Sequence, residues 1–476
     1  MDEERTELTS EETEKDPNTP AEETENGAEN EKKKAPADKK ARKEPYFGWG
    51  WRILYTAGAL SLIVYLIAVL NENFANFMSR YFGAPIRTVL ANISGVVPFS
   101  LAELVMILLI PAFVVIIVVA NKYYSGTWRR ILVFSGKVLS VAVVLIMIYT
   151  LGFGTGYHTS TLDKRLGMEK TPVSTEELRD TARKLTELVN AEAANQTYGE
   201  DGFSDMPYSF SAMNNKLLVA YDGIYEKYSF IQPMNSRLKP VMLSELMSYT
   251  HITGVYSYFT GEANLNVAFP DYTLPFTAAH ELAHQRGIAR EDEANFVAFL
   301  VCSSSEDSYI RYSAYLMMLE YVTNAYYRAV AGYKAYDFAA FRELMENDPT
   351  VSAALSAYEK ANGVTLSKYA ELKEALDSDE ALNTAVRSCE KTAEAIDFYN
   401  KRVVAVNDYN ATFDMRCEQV NGEERAYNEF FKKYEHNVVA SVSGAVNDTY
   451  LKLQGTPGSA SYGMVVDLAV AYYKNR

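Results

Sequence analysis

The chain is poor in cysteine, in histidine and in positive charge, and each shortage removes a class of function. Its three cysteines, Cys302, Cys389 and Cys417, fit no C-x-x-C metal pattern and are too few for a dense disulfide framework; at most one pair could bridge. Against 61 acidic residues stand 46 Lys and Arg, a net charge of −15, so the basic face that a nucleic-acid partner requires is missing and no such partner is expected. The acidity reads as a solubility device. No aromatic residue precedes Tyr46. A stretch of that kind, rich in Glu, Lys, Thr, Asn, Ala and Pro, cannot bury enough apolar surface to offset the entropy of ordering, so residues 1–45 are expected to be a disordered tail. No apolar run follows the first residues, so no secretory signal is expected, and the chain holds no internal repeat.

Long apolar runs, by contrast, are present. Trp51–Leu70, Leu101–Ala120 and Ile131–Phe153 each have about the 20 residues needed to cross a bilayer core. Basic residues mark one side of them. The run from Lys32 to Lys43 precedes the first span, and Lys122, Arg129 and Arg130 lie between the second and third. The longer loop between the first and second carries only two arginines, so the positive-inside rule predicts a cytoplasmic tail. An odd number of spans then puts everything after about residue 154 outside the plasma membrane. Glu103 and Lys137 fall near span ends, where packing or interfacial roles are expected rather than an ion path.

The remainder, 155–476, is expected to be a mainly helical extracytoplasmic domain. Ser174 and Glu177 have capping-box spacing ahead of a helical pattern. A long amphipathic helix ends near Gly332, and others are expected over 337–347, 349–361, 365–375, 378–400, 424–452 and 460–474. Residues 252–273, with β-branched and aromatic side chains and two glycines, read as one or two short strands. Within them, 262–268 is a candidate edge that could hold an extended peptide, although Asn264 and Asn266 also suit turns.

Two of the five histidines stand at i and i+4 in "HELAH", His280 and His284. Both imidazoles then lie on one helix face and can reach a single ion, while Glu281, about 100° around, can accept a proton from water beside it. Random placement of five histidines and 61 acidic residues gives fewer than about 0.01 such H-[DE]-x-x-H matches. This is the H-E-x-x-H arrangement of zinc sites, and a catalytic zinc requires a third protein ligand. On an unbroken helix His284 and Glu291 would stand about 10 Å apart, so the helix must end. Gly287 is placed to end it in a left-handed conformation, after which a second helix starts near Glu291. Glu291, Ala294 and Asn295 share a face of that helix: a third ligand, a small residue and an amide that could orient a ligand histidine. Glu293, about 200° away, Asp292 and a ligand from elsewhere in the chain are the alternatives. Tyr309, Tyr312 and Tyr315 are candidate oxyanion helpers by position alone, and His158, His251 and His436 are read as structural.

The "HELAH" and E-x-x-A-N segments resemble the gluzincin branch of zinc metallopeptidases, whose third ligand is a glutamate of this kind. The E-x-x-A-N form is similar to that of phage-repressor-cleaving peptidases. Asn295 stands where many gluzincins have Asp, and the interval to Glu291 is short for that branch. The metzincin pattern is ruled out because its third histidine would fall at Arg290. Three spans followed by "FTGEANLN" and "HELAHQRGIAREDEANF" resemble an uncharacterised bacterial membrane family, domain of unknown function 3810. The resulting expectation is a mainly α chain: a 1–45 tail, a 46–154 region of three transmembrane helices, and a helical zincin-like ectodomain, 155–476, with a small β-sheet. The chain is expected to be a membrane-anchored zinc metallopeptidase acting on an envelope or extracellular peptide or protein, with Glu281 as base, His280, His284 and Glu291 on Zn2+, and Asn295 behind them. The alternative is a non-catalytic receptor or scaffold with a zinc-stabilised ectodomain.

Overall fold

The computed structural model describes residues 48–123, 126–333, 337–435 and 437–474. The tail with its basic run 32–43, and His436, lie outside the described residues. Among the described residues three helices are long and apolar enough to cross a membrane, over Trp49–Leu70, Leu101–Val119 and Arg130–Gly152, and they mark a membrane protein.

The first span is α1 (Trp49–Leu70). Two helices, α2 (Glu72–Met78) and α3 (Ala84–Ser94), joined by a π turn, fill the loop that follows it. The second and third spans are α4 (Leu101–Tyr123) and α5 (Thr127–Gly152), the latter beginning four residues ahead of the expected start. After α6 (Leu162–Leu166), α7 (Thr175–Ala193) opens with the capping box its sequence predicts: Ser174 and Glu177 each accept from the other's backbone N–H. Next come α8 (Phe210–Lys227), β1 (Lys239–Pro240), α9 (Ser244–Ser248), β2 (Gly254–Ser257) and β3 (Glu262–Leu265). The sheet order is β1-β3-β2, with β3 parallel to β1 and antiparallel to β2. The edge expected at 262–268 is therefore corrected. β3 is the central strand; β1 and β2 are the edge strands, and β2 is the one that lines the cleft. A two-residue β1 pairing from more than twenty residues away leaves no periodic signal that could reveal this.

The helices α10 (Thr273–Gln285), α11 (Glu291–Ser303) and α12 (Ser308–Ala331) form the centre of the main core with α7 and α8. α10 and α11 are buried almost throughout, Phe296 and Phe299 completely. A second core joins α13 (Phe338–Asn347), α14 (Pro349–Asn362), α15 (Tyr369–Ser378) and α16 (Glu380–Ser388) to the start of α17 (Glu390–Asp414). The single helix expected over 378–400 is thus two, divided at Cys389. The one expected over 424–452 is also two, α18 (Glu418–Lys432) and α19 (Val438–Leu453). The Asn437 side chain caps the second by accepting from the Ala440 N–H at 2.6 Å. A 3-10 turn and α20 (Val465–Lys474) end the described chain.

A buried ion pair fastens the second span to the sheet. Glu262 on β3 pairs with Lys239 on β1, and both are nearly inaccessible. The Glu262 carboxylate also accepts from Leu101 N (3.0 Å) and Ala102 N (2.8 Å), the first free amides of α4. It thereby satisfies orphan donors at the positive end of a helix dipole. Lys239 donates further to the Ser94 and Phe99 carbonyls. Glu262→Ala strands a buried ammonium and two amides, and is expected to cost about 3–5 kcal/mol. Urea or thermal unfolding of the detergent-solubilised full-length protein measures that loss.

Candidate metal centre

The local chain makes the site by ending one helix and reversing into the next. Gly287 N donates to His284 O (2.9 Å) and Ile288 N to Ala283 O (3.1 Å), a complete Schellman pattern at the end of α10. Gly287 has φ +94°, a conformation that side chains disfavour, and a Cβ there would collide with the Arg87 guanidinium. The helix that "HELAH" occupies is held from several sides. Tyr221 donates to Ala279 O, Gln285 to Gly261 O and Ser236 Oγ, and Arg286 to Met234 O.

The reversal brings together three of the expected residues. His280 Nε2 and His284 Nε2 are 2.9 Å apart, and each is 3.2 Å from one oxygen of Glu291. Three ligand atoms on a tetrahedral ion at about 2.1 Å would stand about 3.4 Å apart, so the cluster needs only slight opening to admit a cation. His284 Nδ1 lies 2.7 Å from the Ile288 carbonyl and donates to it, which aims Nε2 at the cluster. Two facing imidazole nitrogens and a carboxylate form an N,N,O donor set that suits zinc.

The alternatives to Glu291 point elsewhere. Glu293 accepts from Arg290 and from Leu162 N, both at 2.9 Å. Asp292 faces a neighbouring cavity of about 200 Å³. Asn295, expected to orient a ligand imidazole, instead donates to Tyr321 Oη (3.2 Å) and the Tyr462 carbonyl (3.3 Å). That correction follows from the cleft wall, which occupies its amide; a backbone carbonyl does the orienting at His284.

Electrostatics follow from burial. It raises the Glu281 carboxyl to about 7, although the two imidazoles pull it back. Burial also pushes Glu291 upward, but His284 and His280 outweigh it and hold that carboxyl well below the usual range. At His284 burial works against the charged ring; the attraction of Glu291 dominates and raises it to about 9.

The cluster lies in a cleft of about 410 Å³. β2 forms one wall. A Cβ on Gly254 would come within 2.6 Å of Glu281 Oε1, so only glycine lets the strand pass so close to the carboxylate. One Glu281 oxygen, Oε2, is buried without a hydrogen-bond partner. The opposite wall carries Asn447 and Tyr450 of α19, together with Tyr462. Tyr309 and Tyr312 are absent from the cleft lining: they bond to Ser204 O and Glu423, and Tyr315 packs on Phe299. The cleft tyrosines are instead Tyr157, Tyr256, Tyr321, Tyr450 and Tyr462. Burial raises the hydroxyls of Tyr157 and Tyr450, which keeps them as proton donors at neutral pH. His251 also lines the cleft, with φ 59° and Nε2 2.7 Å from Tyr434 O. His158 packs on Tyr65.

The family described as a protein of unknown function, DUF3810, matches residues 78–378 and 381–470. The chain belongs to that family. The DUF3810 match takes in α4, α5, the sheet, the "HELAH" helix and both cleft walls, and so spans the site as one unit. No curated protein and no solved structure matches the chain. Tyr450, Tyr462 and Asn447 could not be found from the sequence, because nothing local distinguishes them among 35 tyrosines or ties them to a motif some 160 residues away.

Proposed function

We propose that this DUF3810 protein is a membrane-anchored zinc metallopeptidase that hydrolyses peptide bonds of an envelope or extracellular polypeptide. The observation that carries the reading is the convergence of His280 Nε2, His284 Nε2 and Glu291 Oε2 within 3.2 Å, beside a glutamate with an unpaired oxygen. A purely structural zinc needs no base next to its ligands and usually fills its fourth position with Cys or His. The order of parts supports a zincin-like arrangement: a free strand edge, β2, above the helix bearing the motif, and a second helix bringing the third ligand. Charge placement supports a cytoplasmic tail and an outward-facing site at the plasma membrane.

A bound zinc supplies Lewis acidity that activates both a water and a carbonyl. The chain supplies the rest. His280, His284 and Glu291 hold the ion. Glu281 takes the proton of the attacking water and returns it to the leaving amine. The outer edge of β2 offers main-chain groups to an extended peptide, and a tyrosine hydroxyl of the opposite wall donates to the developing oxyanion.

The test is hydrolysis of a mixed peptide library by the detergent-solubilised full-length protein, with and without a chelator. Hydrolysis abolished by chelation and restored by Zn2+ is expected. Stoichiometric zinc with no hydrolysis under any condition overturns the peptidase reading and favours the scaffold. A pH dependence accompanies it. Without metal, His284 keeps a proton that zinc must displace, so affinity is expected to rise about tenfold per unit of pH up to about 9. The His284–Glu291 pair works in the opposite sense on the metal-free fold. Its stabilisation is complete below a histidine's ordinary 6.5 and is lost as pH rises through about 9. Zinc titrations between pH 6 and 9 measure the slope.

A further inference from the structure

We propose that α19, together with the Met242–Leu246 segment, is a membrane-binding face that lies in the lipid interface at the end of the span bundle from which the rest of the chain emerges. α19 exposes apolar side chains where a soluble helix would carry charge. Val438 is 78% exposed, Val442 59% and Leu453 77%, with Val439 and Val446 also exposed. These five fall within about 100° on the helical wheel, a stripe interrupted by Thr449 alone, whose hydroxyl donates back to the Ala445 carbonyl. Such a stripe requires a partner.

The ties of α19 identify that partner. Its C-terminal end is fastened to two spans: Gln454 accepts from Tyr65 of α1 at 2.7 Å, and Tyr450 Oη lies 3.4 Å from Tyr149 Oη of α5. Its N-terminal end is linked to the third through α9. Tyr434 and Lys433, just before the helix, bond to Glu245 of α9. The segment leading into α9 donates Met242 N and Leu243 N to Glu103 at 2.8 Å each, in the first turn of α4. The ends of α1 and α5 and the start of α4 are one end of the bundle. A helix about 24 Å long with both termini tied there lies across it, along the membrane surface rather than away from it. Tyr450, which reaches α5, borders the stripe about 40° from Val446, so the stripe turns toward the spans. Met242 and Leu246, also exposed, continue the apolar surface beside α4. The bilayer that those spans cross is therefore the occupant, and α19 acts as an interfacial helix. Glu103 accordingly serves as an anchor for this segment.

One consequence rests on the peptidase reading. The helix that touches lipid also forms the cleft wall through Asn447 and Tyr450, so the cleft opens at the bilayer surface and takes polypeptides tethered to that bilayer or emerging from it.

The test reads lipid contact without reference to hydrolysis. In full-length protein with C389S and C417S, and with Cys302 buried, single cysteines replace Val442 or, as a control on the α13–α16 module, Val364. Each is spin-labelled in nanodiscs of phosphatidylethanolamine and phosphatidylglycerol. The Val442→Cys label is expected to be several-fold more accessible to oxygen, and several-fold less to a nickel chelate, than the Val364→Cys label. Equal nickel access at the two positions overturns the proposal. So does shielding of the Val442→Cys label from both reagents, which would mean protein, such as a second copy, covers the stripe.

Discussion

Glu281→Gln in the full-length protein is expected to keep its bound zinc and lose peptide hydrolysis by about 100- to 10,000-fold, the range for removing a general base. The amide is nearly isosteric with the carboxylate, so the packing against Gly254 of β2 is retained. The ligand atoms of His280, His284 and Glu291 are untouched, which is why metal content and activity separate. Glu281 also has one oxygen free of any hydrogen bond, and its burial raises it to about 7. Both properties suit a group that must pick up a proton and release it again. A neighbouring dication favours the ionised form, so the acidic limb of a pH–rate profile is expected below that value. Equal rates for the two proteins would remove Glu281 from the chemistry.

Glu291→Ala and Glu293→Gln are expected to diverge widely despite lying two residues apart. The first removes the carboxylate oxygen that, among the described residues, touches both imidazoles, and is expected to weaken zinc binding by more than about 100-fold, since changing a partner of a ligand already costs about 10- to 100-fold. It also removes the largest of the attractions that raise His284, which is expected to lower its pKa. The second leaves the cluster intact but weakens the contacts to Arg290 and the Leu162 amide, an expected loss of about 1–3 kcal/mol of stability with zinc affinity unchanged. Isothermal titration with zinc and thermal unfolding of both variants separate the two effects.

What the sequence made legible was what local geometry dictates. Residues four apart on a helix share a face, a glycine ends that helix, and a carboxylate seven residues beyond His284 can return to it only across such a break. His280, His284 and Gly287 follow from those rules; they leave Glu291, Glu293 and Asp292 open, and the fold brings Glu291 to both imidazoles. The apolar spans were equally plain because bilayer thickness fixes their length. What stayed hidden depends on contacts between distant residues. β3 is not an edge because a two-residue β1 takes one side of it and β2 the other. The second cleft wall comes from residues 447–462, brought over the site by ties from α19 to α1 and α5. The break between α18 and α19 rests on one capping asparagine in an otherwise helical pattern. Asn295 shared the right helix face with Glu291, but only the completed cleft shows its amide engaged by Tyr321 and Tyr462.

X-ray absorption at the zinc edge of the purified full-length protein examines the central claim most directly. One zinc per chain is expected, bound at about 2.0–2.1 Å by two imidazole nitrogens and by oxygen, with no sulfur. A chain that takes up no stoichiometric zinc, or a spectrum with sulfur at about 2.3 Å, would contradict it.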